Sequence, residues 1–484
     1  MERRQDDFPA AQGLQSWAML TPARSSSWRP SAPLIVLALV LAAGAAAGVM
    51  LSWPGQFSPD SVWQLQQGRA GIYNSWHPPV MAWLLGVFDR ISPGAGGFVL
   101  FDAALGYGAL LAFAALSSRP RWIGVAVAAA LAASPLMLLY QGDVWKDVLF
   151  ADAAVAGFAA LAWSARLWPR PALRYGLAAL ALALFALACL VRQNGLLIPL
   201  WGAVGFAAAA WRSRPRQRLI AVAHGVGALG ACLALAVAGA TALAWRSDGE
   251  PAQAEQVEWV QIWDLAGAMR LQPGLDLGAL DQEAPDAADL VRRFAKAWTP
   301  VRIDSLVLFP GAQDAVDEAG PAVAGQWRRL ILDHPLLYAR VRLSVLGQIA
   351  TTPDLMACRP LFIGLDAPPA MLKALKLAPR HRPQDVWARR YGLAFVGTPV
   401  LSHLVYAALA TILAALAMKD LRRGGPMDHI AVIALVAAAF SFAASFLVVG
   451  LACDYRYLYL ADLAAMAALT HRAAARPIRR ADAP

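Results

Sequence analysis

Ten stretches of the 484-residue chain are apolar over roughly the 17–25 residues that a bilayer core demands of a helix. They are 33–53, 97–117, 122–140, 148–165, 175–191, 196–211, 219–245, 396–418, 429–451 and a short last one near 457–470. Residues 79–91 (VMAWLLGVFDRIS in the neighbourhood) are apolar too, but the stretch is short and carries Asp89 and Arg90. It is read as a helix lying along the membrane interface. The first stretch ends at Trp53-Pro54 without a small-residue cleavage pattern, so it reads as an uncleaved span, not a signal peptide. Within 246–395, residues 322–350 place apolar residues at helical spacing with an interruption at Pro335. That predicts two amphipathic pieces, suited to resting on the membrane surface. No run alternates with period two, and no internal repeat of the kind that builds two-fold transporters is visible.

Composition agrees with this pattern. The chain is 59% hydrophobic and 15% charged, against about 25% charged in an average soluble domain. The expected fold class is an all-α polytopic membrane protein of about ten transmembrane helices. Juxtamembrane helices are expected in the first outer loop, and a mainly helical extracytoplasmic domain further on. The division is a 1–32 cytoplasmic tail, a 33–245 membrane module with its first outer loop at 54–96, an extracytoplasmic domain at 246–395, C-terminal membrane helices at 396–470 and a basic tail at 471–484.

The net charge of +10 resolves once the 42 Lys and Arg are sorted. If 79–91 does not cross, twenty fall in 1–32, 118–121, 166–174, 212–218, 419–427 and 471–484. Only five fall in the short loops 54–96, 141–147, 192–195 and 452–456. That is a strong positive-inside bias and puts both termini in the cytoplasm. The other seventeen lie in 246–395 among eighteen acids, so they form no patch for nucleic acid, and long translocated domains do not follow the charge rule.

With this topology the polar motifs collect on the outer side. Asp60, in Ser58-Pro59-Asp60-Ser61, offers a general base, and equally Ser58 or Asp60 suits a helix N-cap. His77, in Trp76-His77-Pro78-Pro79, suits a phosphate or sugar ligand or a cap on its own helix. Asp143, Lys146 and Asp147 form a charged knot. Lys146 suits phosphate, and Asp143 with Asp147 share a face if the stretch is helical. Arg192 in Arg192-Gln193-Asn194 offers a fork for phosphate, or snorkels to the headgroups. Asn194 and Arg456 join the candidate ligands for donor phosphate and substrate, with Asp143, Asp147 and Asp454 as supporting polar groups. A divalent cation on Asp60, Asp143 or Asp147 is left open as cofactor. Asp102, Asp152 and Asp462 lie near the outer ends of their spans and suggest a polar cavity opening outward. Cys189 and Cys232 are packing residues. Cys358 and Cys453 share the outer side, where a disulfide between them is left open. No Gly-rich phosphate loop lies on the inner side.

An acid soon after the first span, followed by an aromatic-His-Pro-Pro start to an interfacial helix, resembles the C-type membrane glycosyltransferases. These include the dolichyl-phosphate-mannose-dependent mannosyltransferases and the bacterial aminoarabinose transferases. Trp145-Lys146-Asp147, Arg192-Gln193-Asn194, Trp263-Asp264-Leu265-Ala266, Asp333-His334-Pro335 and Asp454-Tyr455-Arg456-Tyr457 look like a little-characterised bacterial branch of that superfamily. The resemblance implies a transferase of the bacterial inner membrane that takes a hexosyl or pentosyl group from a polyprenyl-phosphate sugar donor. Asp60 then matches the acid of the first loop. Many relatives carry two adjacent acids there, whereas Asp60 is followed by Ser61, which weakens the case for metal at that position. A transporter or flippase, with the buried acids relaying protons, is the competing reading.

Overall fold

A computed structural model describes residues 31–74, 76–117, 120–244, 253–378 and 382–475. The N-terminal tail and most of the C-terminal tail, with their basic residues, lie outside the described residues. Among the described residues the architecture is helical throughout. Extended segments meet only in isolated bridges, Gln56 with Asp143, Phe57 with Leu365 and Arg302 with Ala452. Eight helices are long and apolar enough to cross a membrane, or nine if one bent pair forms a span. The chain is an all-α, multi-pass membrane protein.

The helices fall where apolar length predicts them, with three instructive differences. The stretch 122–140 breaks into Trp122–Ala133 and Pro135–Gly142, bent by 63°. Pro135 has no N–H to donate and pushes Ser134 into an extended conformation (φ −66°, ψ 148°). The stretch predicted to begin at 396 becomes helical only at His403, because Gly397 adopts a positive φ and Pro399–Leu401 form a single tight turn. The last helix, Tyr459–Ala474, has 16 residues, about 24 Å at 1.5 Å per residue.

Lys146–Arg166 is the hub of the bundle, buried along nearly its whole length. Its many alanines let neighbouring helices approach closely, which is how helices gain packing energy where lipid removes the hydrophobic drive. At one end of the bundle the predicted inner segments meet. Arg121 N–H donates to the Ala474 carbonyl, Arg166 and His471 both reach Asp428 (3.3 and 2.9 Å), and Arg212 donates to the Gly425 carbonyl. The predicted outer segments meet at the other end. The residues that charge sorting assigned to one side are therefore the residues that touch.

The first outer loop is a helical hairpin, Pro59–Ala70 followed by Pro79–Ile91. The second helix has 13 residues, as expected for a segment that does not cross. The two helices cross at Gly68 and Gly86, where a Cβ on either would strike the other's backbone. A two-pronged Arg69–Asp89 pair (2.9 and 2.7 Å) closes the far end. This hairpin fixes where Asp60 sits.

The segment between the seventh and eighth apolar stretches is a helical unit docked on the end of the bundle where the predicted outer segments meet. Ala312–Asp333 and Pro335–Thr351 are the two expected pieces, split at Pro335, with a further kink at Gly320 before Pro321. Pro335–Thr351 buries Leu337, Val341, Val345 and Ile349 and leaves Leu336 and Leu343 exposed. Its Arg342 is buried against Asp264 at 2.9 Å and also donates to the Gly450 carbonyl at the end of the span His429–Val449. Asp264, in one of the motifs singled out above, thus helps hold this unit together, while Asp333-His334-Pro335 is the exposed break between its two helices.

Candidate functional site

Helix Pro59–Ala70 begins at Ser58, but the Ser58 hydroxyl does not cap it. Ser58 Oγ takes a hydrogen bond from Trp145 Nε1 (3.1 Å) and meets Ser61 Oγ (3.1 Å), while Ser61 donates to the Val144 carbonyl. These bonds tie the start of the hairpin to the segment leading into Lys146–Arg166. Asp60, the second residue of the helix, is not the cap and turns to the site, where the helix N-terminus also favours its charge.

Asp60 Oδ2 accepts from Arg456 Nη2 at 2.9 Å, and Asp60 Oδ1 lies 4.0 Å from His77 Nε2. His77 does not cap its own helix, whose cap position is Pro78. Its Nδ1 is 3.0 Å from Lys146 Nζ. An ammonium can only donate, so with Lys146 charged Nδ1 is the acceptor and the ring proton sits on Nε2, facing Asp60. Arg456 also reaches Asp454 (3.2 Å) and Asp147 (3.6 Å) and lies over the Trp145 ring at 5.1 Å. Arg192 pairs with Asp147 and sits 5.4 Å from the rings of Phe442, Phe446 and Tyr457. Four cation or imidazole candidates and three acids from four separate loops are thereby one cluster. Asp60 keeps 39% of its side chain exposed, against 14% for Arg456 and 0% for Asp147, so it is the acid an incoming group can reach.

Burial pushes the Asp60 carboxyl up, but Arg456, His77 and Lys146 together outweigh it and hold it below the usual carboxylate range. Burial, reinforced by Lys146, brings His77 down to about 3, so the ring is neutral in working conditions. Burial also lowers Arg192, to about 10, which leaves it charged. Arg456 moves the other way: its burial is outweighed by Asp454 and Asp60, and it stays charged. His77→Gln is expected to leave the shape of an activity–pH profile unchanged between about pH 5 and 8, because the native ring does not titrate there. A limb near the ordinary histidine range that vanished in the variant would show that His77 does protonate.

Two predicted site residues, Asn194 and Asp143, stand apart from the cluster. Asn194 donates to Ser445 Oγ (2.8 Å) on the span His429–Val449 and so braces a turn instead of facing the site. Asp143 precedes the helix in an extended conformation, so it shares no helical face with Asp147. It is 1% exposed, neither carboxylate oxygen has a hydrogen-bond partner among the described residues, and burial raises it well above the usual range. Among the described residues no group of three or more His, Cys, Asp or Glu is placed to hold a metal, and the space between Asp60 and Asp147 is taken by Arg456. Asp102, Asp152 and Asp462 do not line an open cavity. All three are fully buried. Asp102 neighbours Asp152, Gln141 Nε2 donates to both oxygens of Asp152 (3.0 and 2.8 Å), and His403 Nδ1 meets Asp462 at 2.9 Å. Partners from neighbouring segments serve Asp152 and Asp462, as burial in a low dielectric requires, whereas neither oxygen of Asp102 has a hydrogen-bond partner among the described residues.

Two contributors were not singled out from sequence. Trp145 supplies the ring under Arg456, and Arg302, from the docked outer unit, pairs with Asp454 at 2.7 Å. Trp145 sat within a quoted motif, but nothing local marks Arg302. Cys358 and Cys453, left open above, are joined by a disulfide beside the site.

Beside His77 a cleft of about 200 Å³ runs between Pro79–Ile91, Pro171–Val191 and Arg218–Ala244. Pro79, Val80, Leu190, Ala240 and Leu243 make it almost wholly apolar.

No family model and no curated protein matches the chain. Among solved structures it is similar to the Archaeoglobus fulgidus oligosaccharyltransferase in the apo form, at 14% identity and TM-score 0.40, over 92% of this chain and 51% of that one. It is likewise similar to the archaeal oligosaccharyltransferase AglB from Archaeoglobus fulgidus in complex with an inhibitory peptide and a dolichol-phosphate. There the identity is 14% and the TM-score 0.39, over 90% and 50% of the two chains. The chain spans about half the length of these proteins.

Proposed function

We propose that this chain is a membrane glycosyltransferase of the C-type superfamily. It moves a sugar from a polyprenyl-phosphate donor to an acceptor on the outer side of the bacterial cytoplasmic membrane, with both termini inside. The observation that carries the reading is the placement of one accessible carboxylate, Asp60, against Arg456 and His77, with an apolar cleft beginning at His77. A donor of this kind is a sugar phosphate on an apolar tail. The cleft suits the tail, and Arg456, Lys146 and Arg192 provide cations at the depth of the phosphate.

The chemistry follows from the charges. As the sugar's bond to phosphate breaks, negative charge grows on the leaving phosphate, and fixed cations stabilise it. The leaving group is already a phosphate, so no strong acid is needed. The acceptor hydroxyl loses its proton to Asp60. In the empty site Arg456 holds Asp60 too acidic to be a good base. A donor phosphate competes for the same guanidinium, and its arrival frees Asp60 to accept the proton. His77, neutral, lies 4.0 Å from the second Asp60 oxygen, beside the acceptor's path. A transporter gains no favouring observation, because Asp102, Asp152 and Asp462 are fully buried.

The test is transfer by the purified full-length protein from a panel of synthetic polyprenyl-phosphate sugars. Cells lacking the protein should accumulate the one donor it uses. Failure with every donor, together with unchanged lipid-linked sugars in such cells, would overturn the reading.

A further inference from the structure

The outer unit grips the chain just before Arg456 from two sides. On one side Cys453 N–H donates to the Val301 carbonyl (2.9 Å) and Ile303 N–H to the Leu451 carbonyl (2.8 Å). On the other, Tyr455 N–H donates to the Cys358 carbonyl (2.8 Å), and the Cys358–Cys453 disulfide closes a 95-residue separation. Arg302 stands between these grips. Its Nη1 meets Asp454 Oδ1 at 2.7 Å and also donates to the Ala357 carbonyl, and its Nε meets Asp304 at 2.8 Å. The other Asp454 oxygen holds Arg456 Nη2 at 3.2 Å, and the same nitrogen holds Asp60 at 2.9 Å.

We propose that Arg302 is a positioning residue for the transfer site: by occupying one oxygen of Asp454 it keeps Arg456 shared with Asp60 and available to the donor phosphate. The proposal rests on the function proposed above and makes 253–395 a clamp on the site. The physical reason is competition for one fork. A buried carboxylate with both oxygens free is the best partner a guanidinium can find, because it pairs with it two-pronged. Asp454, with its side chain only 6% exposed, would draw Arg456 away from Asp60 if Arg302 did not hold half of it. A lysine at 302 would keep the charge but lose the fork that reaches Asp304 and Asp454 together.

Steady-state kinetics of the purified full-length protein test this, with the Kd for polyprenyl phosphate in detergent micelles measured alongside. Arg302→Gln should raise the donor KM and that Kd by about tenfold while changing the acceptor KM by less than about threefold. Arg302→Lys should fall between. Adding Asp454→Asn to Arg302→Gln removes the competing charge and should return the donor KM to within about threefold of wild type. A merely structural Arg302 would give the opposite, since the second substitution would only loosen the loop further. A wild-type donor KM in Arg302→Gln, or additive losses in the double variant, would overturn the clamp alone. A wild-type protein that neither transfers sugar nor binds polyprenyl phosphate would overturn both the clamp and the function it rests on.

Discussion

Asp60→Asn should lower sugar transfer by about 10²–10⁴-fold, the usual contribution of a positioned proton acceptor. The amide keeps the size of the side chain but cannot take the acceptor's proton. The loss should fall on kcat, with the donor KM unchanged or lower. Removing the carboxylate frees Arg456, now held at 2.9 Å, for the donor phosphate. That split separates loss of a base from loss of a binding group. Because Asp60 is the most exposed acid of its cluster, the substitution leaves no buried charge unpaired, and the variant should fold and insert as the native protein does. Full activity in Asp60→Asn, with a defined donor, would rule Asp60 out as the base.

Arg342→Leu should be the most destabilising of the substitutions considered, by about 3–5 kcal/mol, because it removes one partner of a buried ion pair and strands the other. Asp264 and Arg342 are 0% and 1% exposed, and among the described residues only Trp327 Nε1 (2.8 Å) would still serve the carboxylate. The double variant Arg342→Leu with Asp264→Leu should recover much of the loss, since apolar packing replaces buried ion pairs at little cost. The pH dependence has a definite sign. Burial outweighs the pull of Arg342 and Trp327 and already raises Asp264 to about 6. Without Arg342 the folded-state value rises further above the unfolded one, and a raised carboxyl loses its stabilising proton as pH increases. The loss should therefore be smaller at about pH 5 than at about pH 8. Thermal unfolding in detergent at the two pH values measures it. An equal loss at both would show that Asp264 stays charged in the variant.

Much of this was legible in the chain. Apolar length located eight of the ten expected spans, or nine with the bent pair, while Tyr459–Ala474 is shorter than a span requires; the short, charged stretch at 79–91 was read as not crossing, which decided which loops share a side. Asp60, His77, Lys146, Arg192 and Arg456 were picked from short motifs in separate loops, and the structure brings all five together. The misreadings were local geometry of a kind that composition does not encode. Asp143 and Asp147 looked like neighbours on one helix, but the helix starts at Lys146, so the two acids point to different surroundings. Asn194 looked like a ligand because it follows Arg192, yet the tight turn at Gln193–Leu196 swings it to Ser445. The three acids near the outer ends of spans looked like a cavity and proved to be sealed, since their partners come from other helices.

By itself the sequence determined which segments are apolar enough to sit in a bilayer, and how their charged loops sort into two groups. Both follow from transfer energies that act residue by residue along the chain. Only the tertiary structure decided which charges meet. Whether Arg456 serves Asp60, whether Asp454 is shared with Arg302 152 residues away, and whether Cys358 lies beside Cys453 depend on angstrom-scale distances between elements remote in sequence. Ion pairs and hydrogen bonds act only at such distances.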